Sequence, residues 1–425
     1  MRSLVLNGMA LIAATYGLAR FGYGLFLPRF VEEFQLGPAV SGFIQAGSFL
    51  SFCVAATLAF KLSARPRLVV LLAGATAAIG SAGVAAAPSA VVLAIAVVLA
   101  GAGAGFATPG LVTLIERNLD AARQENAQTV VNAGTGAGIV VAGGIMLLTI
   151  TQWRIGWVAI ALLVVLATVA TIRSDRAGQE QQEATPSARM RARDRSVLVR
   201  PIAAAMLVGA SSAAVWTFGR SAMAESGTGA EVYSVVAWMV LGAFGVLGAV
   251  AGGIIHRWTL RTAWVLSAVS MGAATIVLGA VPGVLLPAYV SVAVFGAAYT
   301  AACGVLIIWA ERVVPEHAAE GTAVLFIALA IGQAIGSVLM GFLYGATSPI
   351  LTFAVAGALG ILALLPASKA GREASSDEEA TEETTGEPAD ETGEPADETG
   401  GATAGAGAGS GSASGVDAGT SADRR

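Results

Sequence analysis

The sequence predicts an all-α integral membrane protein whose twelve transmembrane helices form two six-helix pseudo-repeat bundles. Three observations lead there. Of 425 residues, 56% are hydrophobic and only 12% are charged, with a mean hydropathy of +0.74; a soluble chain carries about twice that charge. The apolar residues fall in continuous runs rather than alternating, each near the roughly 20 residues that cross about 30 Å of hydrocarbon as a helix. A polar, arginine-rich interruption divides those runs six and six. So little charge cannot cover a soluble exterior, which excludes a soluble enzyme, a nucleic-acid binder or a disordered protein for the bulk of the chain.

In chain order, Arg2 precedes an apolar run from Leu4 to Leu27, too long for the core of a cleaved leader and without a small-residue cleavage site. It is expected to be the first span, 4–28. The rest of the first half is expected at 39–60, 68–87, 90–114, 127–150 and 154–172. The second half follows at 198–220, 232–255, 262–281, 285–310, 321–344 and 349–367. Turn residues mark the breaks, among them Gly37-Pro38, Arg65-Pro66, Pro88-Ser89, Pro282-Gly283 and Ser348-Pro349. The expected organisation is an N-terminal bundle (1–172), a cytoplasmic linker (173–197), a C-terminal bundle (198–367) and a disordered acidic tail (368–425). In the tail the block Thr385–Glu391 recurs as Thr392–Glu398, a low-complexity pattern with too little apolar surface to order itself.

The net charge of −4 sums two unlike parts. Residues 373–425 hold 14 acids against two arginines, and residues 1–372 hold 22 basic residues against 14 acids. The membrane body is therefore basic. Placing both termini inside puts 20 of the 24 Lys and Arg on the cytoplasmic side, leaving Arg20, Arg29, Arg154 and Arg220 elsewhere. That asymmetry follows the positive-inside pattern and predicts a multi-pass inner-membrane protein. The two cysteines, Cys53 and Cys303, lie in apolar stretches and are expected to be small buried residues, not a disulfide.

The halves carry traces of duplication. Ile115-Glu116-Arg117 ends the fourth span and Ala310-Glu311-Arg312 ends the tenth, an offset of 195. Phe21-Gly22 in the first span and Phe218-Gly219 in the seventh are 197 apart. Paired repeats of this kind place a substrate site between them, near the bilayer midplane. On this pattern residues 1–367 resemble a major facilitator superfamily transporter. The stretches Leu18–Pro28 and Asn132–Gly138 are similar to the uncharacterised YbfB/YjiJ-like branch. The resemblance implies that the first and seventh helices line a central cavity.

The superfamily's loop after the second span carries a Gly, an Asp four residues on, and basic residues. Here the slots read Ala59, Ser63, Arg65 and Arg67; the second-half copy reads Gly252, His256, Arg257 and Arg261. The acid that would latch this loop is absent from both.

Arg20 lies about 16 residues into the first span, roughly 24 Å along the helix. An arginine at that depth costs several kcal/mol unless it meets water or a partner. With Arg220 in the seventh span it is expected to bind an anionic ligand through the planar guanidinium fork. The alternative is that Arg20 pairs with a carbonyl or snorkels and that Arg220 is interfacial. Asn132 and Gln333 are further polar candidates for the cavity, and Tyr23, Trp216 and Tyr299 could shape it; interhelical hydrogen bonds or aromatic packing explain the same residues. Arg65, Arg67, His256 and Arg257 are expected to act in conformational change. Glu116-Arg117 and Glu311-Arg312 read either as a gate of swapped ion pairs or as charges that stop a helix. The glycine pairs 101/105, 134/138, 248/252 and 332/336 suit close packing or a sliding contact between halves.

The expected activity is secondary transport of a small solute, an anion being one reading of it, by alternating access, with proton-driven efflux of a drug or metabolite as an alternative. A transporter-like sensor or scaffold is the rival from another class. The expected partners are that solute and the bilayer, the chain acting as a monomer without cofactor, metal or nucleic acid.

Overall fold

In the computed structural model, residues 2–176, 196–227, 229–250 and 259–368 are described. All regular structure among them is helical, and twelve helices are long and apolar enough to cross a membrane. Helix α1 is composite: Arg2–Ile12, a π-helical segment Ala13–Arg20, and Gly22–Phe34. Then come α2 (Pro38–Lys61), α3 (Pro66–Ala86), α4 (Ala90–Asn118), α5 (Ala121–Leu148) and α6 (Trp153–Ser174). The second half has α7 (Val199–Ala224), α8 (Ala230–Val250), α9 (Leu260–Ala280), α10 (Leu285–Val313), α11 (Ala318–Ala346) and α12 (Pro349–Leu362, continued by Leu364–Ser368).

Several helices outrun their expected spans. Helix α1 passes through Pro28 to Phe34, α4 reaches Asn118, and α5 starts at Ala121. Hydropathy reads only the hydrocarbon slab, whereas helical hydrogen bonding continues into the polar headgroup zone. The longer α1 moves Arg20 from the last third of its helix to the middle.

Alternation is visible at both ends of the first half. At the arginine-poor end, Trp153 Nε1 donates to Glu33 at 2.6 Å and Arg154 donates to Ala87 O at 2.8 Å, tying the ends of α1, α3 and α6. At the arginine-rich end, Asn7 donates to Ala170 O (3.2 Å) and Ser174 Oγ (2.7 Å).

Both halves use the same glycine seams. A β-carbon on Gly134 or Gly138 of α5 would lie 2.4 and 2.3 Å from Met9 O and Ala13 O of α1. On Gly332 or Gly336 of α11 it would lie 2.2 and 2.4 Å from Met206 O and Ala210 O of α7. The acceptors are 197 apart and the glycines 198 apart, close to the Phe-Gly offset. The paired glycines thus pack helices inside each half, as Gly101 and Gly105 of α4 also do against Ser48 and Phe52 of α2. Gly252 lies outside the described residues.

Between the halves the approach falls on other glycines. A β-carbon at Gly24 would sit 2.0 Å from Trp216 O, at Gly42 2.3 Å from Ser337 O, and at Gly136 2.5 Å from Gly242 O. These three contacts join α1 to α7, α2 to α11 and α5 to α8. Only a missing side chain allows backbones so near.

Candidate functional site

The π segment carries one extra residue per turn, shown by the Phe21 N–H donating to Tyr16 O at 2.9 Å, and such segments concentrate at functional positions. It ends on Arg20, which is 4% exposed. The guanidinium carbon lies 4.1 Å from the Phe52 ring centroid, 5.0 Å from Phe49, 5.3 Å from Phe21 and 5.5 Å from Tyr16. Each desolvated cation–π contact contributes up to about 2 kcal/mol. Among the described residues its one hydrogen bond runs from Nη2 to Gln333 Oε1 of α11 at 3.3 Å, and Nε has no partner there. Among the described residues Arg20 has no acidic partner.

Gln333 links this cage to the second half. Its Nε2 donates to Tyr299 Oη at 3.1 Å and to Ser212 Oγ at 3.4 Å. Tyr299 packs edge-on against Trp216 at 5.3 Å, and Trp216 stacks on Phe21 at 4.1 Å. The path Arg20–Gln333–Tyr299–Trp216–Phe21 closes on itself across α1, α7, α10 and α11. Trp216, Tyr299, Asn132 and Thr300 line an adjoining cavity of about 50 Å³, walled also by Gly136, Gly242 and Gly296. That volume holds a few waters. Arg20 does not line this cavity and connects to it through Gln333 and the lining residue Tyr299.

Of the residues expected to bind substrate, five gather here: Arg20, Asn132, Trp216, Tyr299 and Gln333. The other two lie apart from this path. Tyr23 is fully buried and donates to Ser41 O of α2 at 3.1 Å, a packing tie. Arg220 is engaged at the arginine-poor end: Nη1 donates to Leu25 O of α1 at 2.7 Å, Nε to Ser234 Oγ at 3.2 Å, and Nη2 lies 3.5 Å from Glu231. Arg29 of α1 meets the same carboxylate at 2.6 Å. Glu231 of α8 thus holds arginines from both halves, and this face is tied shut. The sequence hid the arrangement because Glu231 looks like an outer-loop charge until α8 is seen to begin at Ala230.

The loop between α2 and α3 finds its missing acid elsewhere. Asp175, whose side chain is fully buried, receives Arg67 Nε at 2.5 Å, Asn118 Nδ2 at 2.8 Å and Arg117 Nε at 3.2 Å, with Arg117 Nη2 also in contact. The 173–197 segment, expected to be a cytoplasmic linker, opens with the end of α6 and this anchor; 177–195 lie outside the described residues. Arg67 and Arg117 therefore act inside the first half. Arg65 is exposed at the start of α3. Glu116, Glu311 and Arg312 are exposed, and the described residues show no ion pair between Glu116 and Arg312. His256 and Arg257 lie outside the described residues. Both cysteines are free, and Cys53 Sγ reaches Ile327 O of α11 at 3.7 Å.

A family model described as Major Facilitator Superfamily matches residues 9–327. Among solved structures, the nucleoside transporter NupG aligns with a TM-score of 0.70 at 13% identity, covering 85% of this chain and 98% of that one. The xylose transporter XylE from E. coli, in a partially occluded inward open conformation, gives 0.66 at 16%, covering 85% and 97%. A bacterial homolog of the human lysosomal transporter Spinster, inward-facing and unoccupied, gives 0.66 at 15%, covering 86% and 94%. Identities this low carry the fold alone. No curated protein matches the chain.

Proposed function

The chain belongs to the Major Facilitator Superfamily, and from that premise we propose that it moves a small anionic solute by alternating access, with Arg20 anchoring the solute. The observation that supports this best is the buried Arg20 guanidinium at the junction of the halves, with no acid beside it among the described residues. An uncompensated cation in hydrocarbon costs several kcal/mol, and an anionic cargo offsets that cost while it is bound. The same feature argues for an anion over the neutral cargoes named for the nucleoside and xylose transporters. Exchange or uniport suits a cavity in which no carboxylate is found among the described lining residues.

The arginine count supports placing the arginine-rich face in the cytoplasm of an inner-membrane protein, with both termini inside. On that orientation the face tied by Arg29, Glu231 and Arg220 is the outer one. One chain builds the whole site, so a monomer suffices. The stretches Leu18–Pro28 and Asn132–Gly138 favour the YbfB/YjiJ-like branch.

Counterflow of radiolabelled anions into proteoliposomes tests the proposal. Flux is expected to fall at least about tenfold in Arg20→Ala, the scale of one lost charge-assisted contact. Unchanged flux in Arg20→Ala overturns the site. No flux across a broad panel of anions, sugars and nucleosides replaces the transporter with a sensor or scaffold on the same fold.

A further inference from the structure

We infer that the chamber takes a singly charged carboxylate with an apolar, ring-sized body. The inference rests on the anion-transport proposal and deepens it by naming the cargo's chemistry.

Charge comes first. Of the two arginines in α1 and α7 that favour an anion, Arg220 shares Glu231 with Arg29, which also meets Glu32, so two acids answer Arg220 and Arg29; other Arg220 N–H groups go to Leu25 O and Ser234. Among the described residues Arg20, linked to the cavity through Gln333 and Tyr299, is the cation without an acidic partner beside it. One negative charge neutralises it; a dianion such as a phosphate ester would leave an excess charge buried, which costs more than it returns.

Hydrogen bonding points the same way. Arg20 Nε and the indole N–H of Trp216 are donors in side chains 4% and 3% exposed, and neither has a protein acceptor. The neighbouring Trp238 N–H, on a ring 5.8 Å from Trp216, is in the same state. The Gln333 amide is already committed to Tyr299 and Ser212. An acceptor-only group satisfies such a donor excess, and an ionised carboxylate is acceptor-only with a planar pair of oxygens that fits the guanidinium fork. A sugar brings a hydroxyl donor with every acceptor and satisfies fewer of these groups.

The walls specify the rest of the cargo. Trp216, Tyr299, Ile139 and Leu241 give the cavity an apolar lining, with Phe295 packed against Trp216 at 5.7 Å and Tyr299 at 6.0 Å. The 3.3 Å Arg20–Gln333 bond is the longer of the two hydrogen bonds in the path, and an incoming carboxylate replaces it along the Tyr299 edge. Because the cavity is only about 50 Å³, binding selects an arrangement in which α5 and α8 stand further from α10.

Calorimetry on the full-length protein in detergent tests this with benzoate as probe, benzamide as its neutral isostere, and inorganic phosphate and xylose as the other chemistries. Benzoate is expected to bind at least about tenfold more tightly than benzamide, phosphate or xylose. Arg20→Gln should abolish benzoate binding, and Trp216→Phe, which keeps an aromatic but smaller ring and removes the N–H, should weaken it several-fold. If Arg20→Gln does not fold, Trp216→Phe and the benzoate-to-benzamide ratio decide. Equal binding of benzamide and benzoate overturns the inference. Phosphate binding that requires Arg20, with benzoate inert, also overturns it while leaving the anion transporter intact. Benzoate binding that requires Arg20, in a protein that moves no solute in proteoliposomes, upholds the inference and removes the transport reading.

Discussion

Two buried ionised side chains face opposite problems. Arg20 has aromatic rings and one amide but no acid. Asp175 has two arginines and an asparagine around a fully buried carboxylate. Removing the acid leaves both arginines crowded and unpaired, so Asp175→Ala should destabilise the first half by about 2–3 kcal/mol, discounted because Arg67 reaches water. A lowered melting temperature in detergent, partly restored by Asp175→Glu, checks this. An unchanged melting temperature would mean the cluster is merely superficial. Arg20 was legible in the sequence, because an arginine deep in an apolar run has few inexpensive placements. Its cage was not: Phe49 and Phe52 in an apolar helix look the same whether they face lipid or a cation. Asp175 was hidden by its setting, since an acid at the edge of an arginine-rich run resembles a solvated charge until the ends of α3, α4 and α6 converge on it.

At the scale of helices, the small residues sort into two kinds of seam. Gly134 and Gly138 seal α5 onto α1 within a half, whereas Gly24 meets Trp216 O across the halves. The two should respond differently to added methyl groups. Gly138→Ala places a β-carbon 2.3 Å from Ala13 O and should lower thermal stability. Gly24→Ala meets Trp216 O at 2.0 Å only while the arginine-poor face is closed, so it should leave the fold and favour opening there. Melting temperature beside cysteine accessibility at the arginine-poor face separates them; equal loss of stability in both would show that the halves do not part at Gly24. The sequence marked glycine spacing but not partners, because a four-residue repeat defines a helix face and says nothing about which backbone it meets. The π segment and the continuation of α1 through Pro28 were equally invisible to hydropathy, which counts apolar residues and not hydrogen-bond register.

Among the described residues two similar bundles enclose an aromatic cavity to which Arg20 connects through Gln333 and Tyr299. The span count and the division into halves were readable from apolar runs and the charged interruption, since bilayer thickness fixes helix length so strongly. The state of the molecule was not, because closure depends on contacts such as Arg29–Glu231 between residues 202 apart in sequence. If Glu231 is the clasp, Glu231→Gln removes its charge and should loosen that face without disturbing the chamber. The most direct test of alternating access is a pulsed electron spin resonance distance between labels on exposed Gln35 and Ser226, across the arginine-poor face. The account predicts one short distance for the parent, and a second, longer population in Glu231→Gln and Gly24→Ala. A single, identical distance in all three proteins would contradict it.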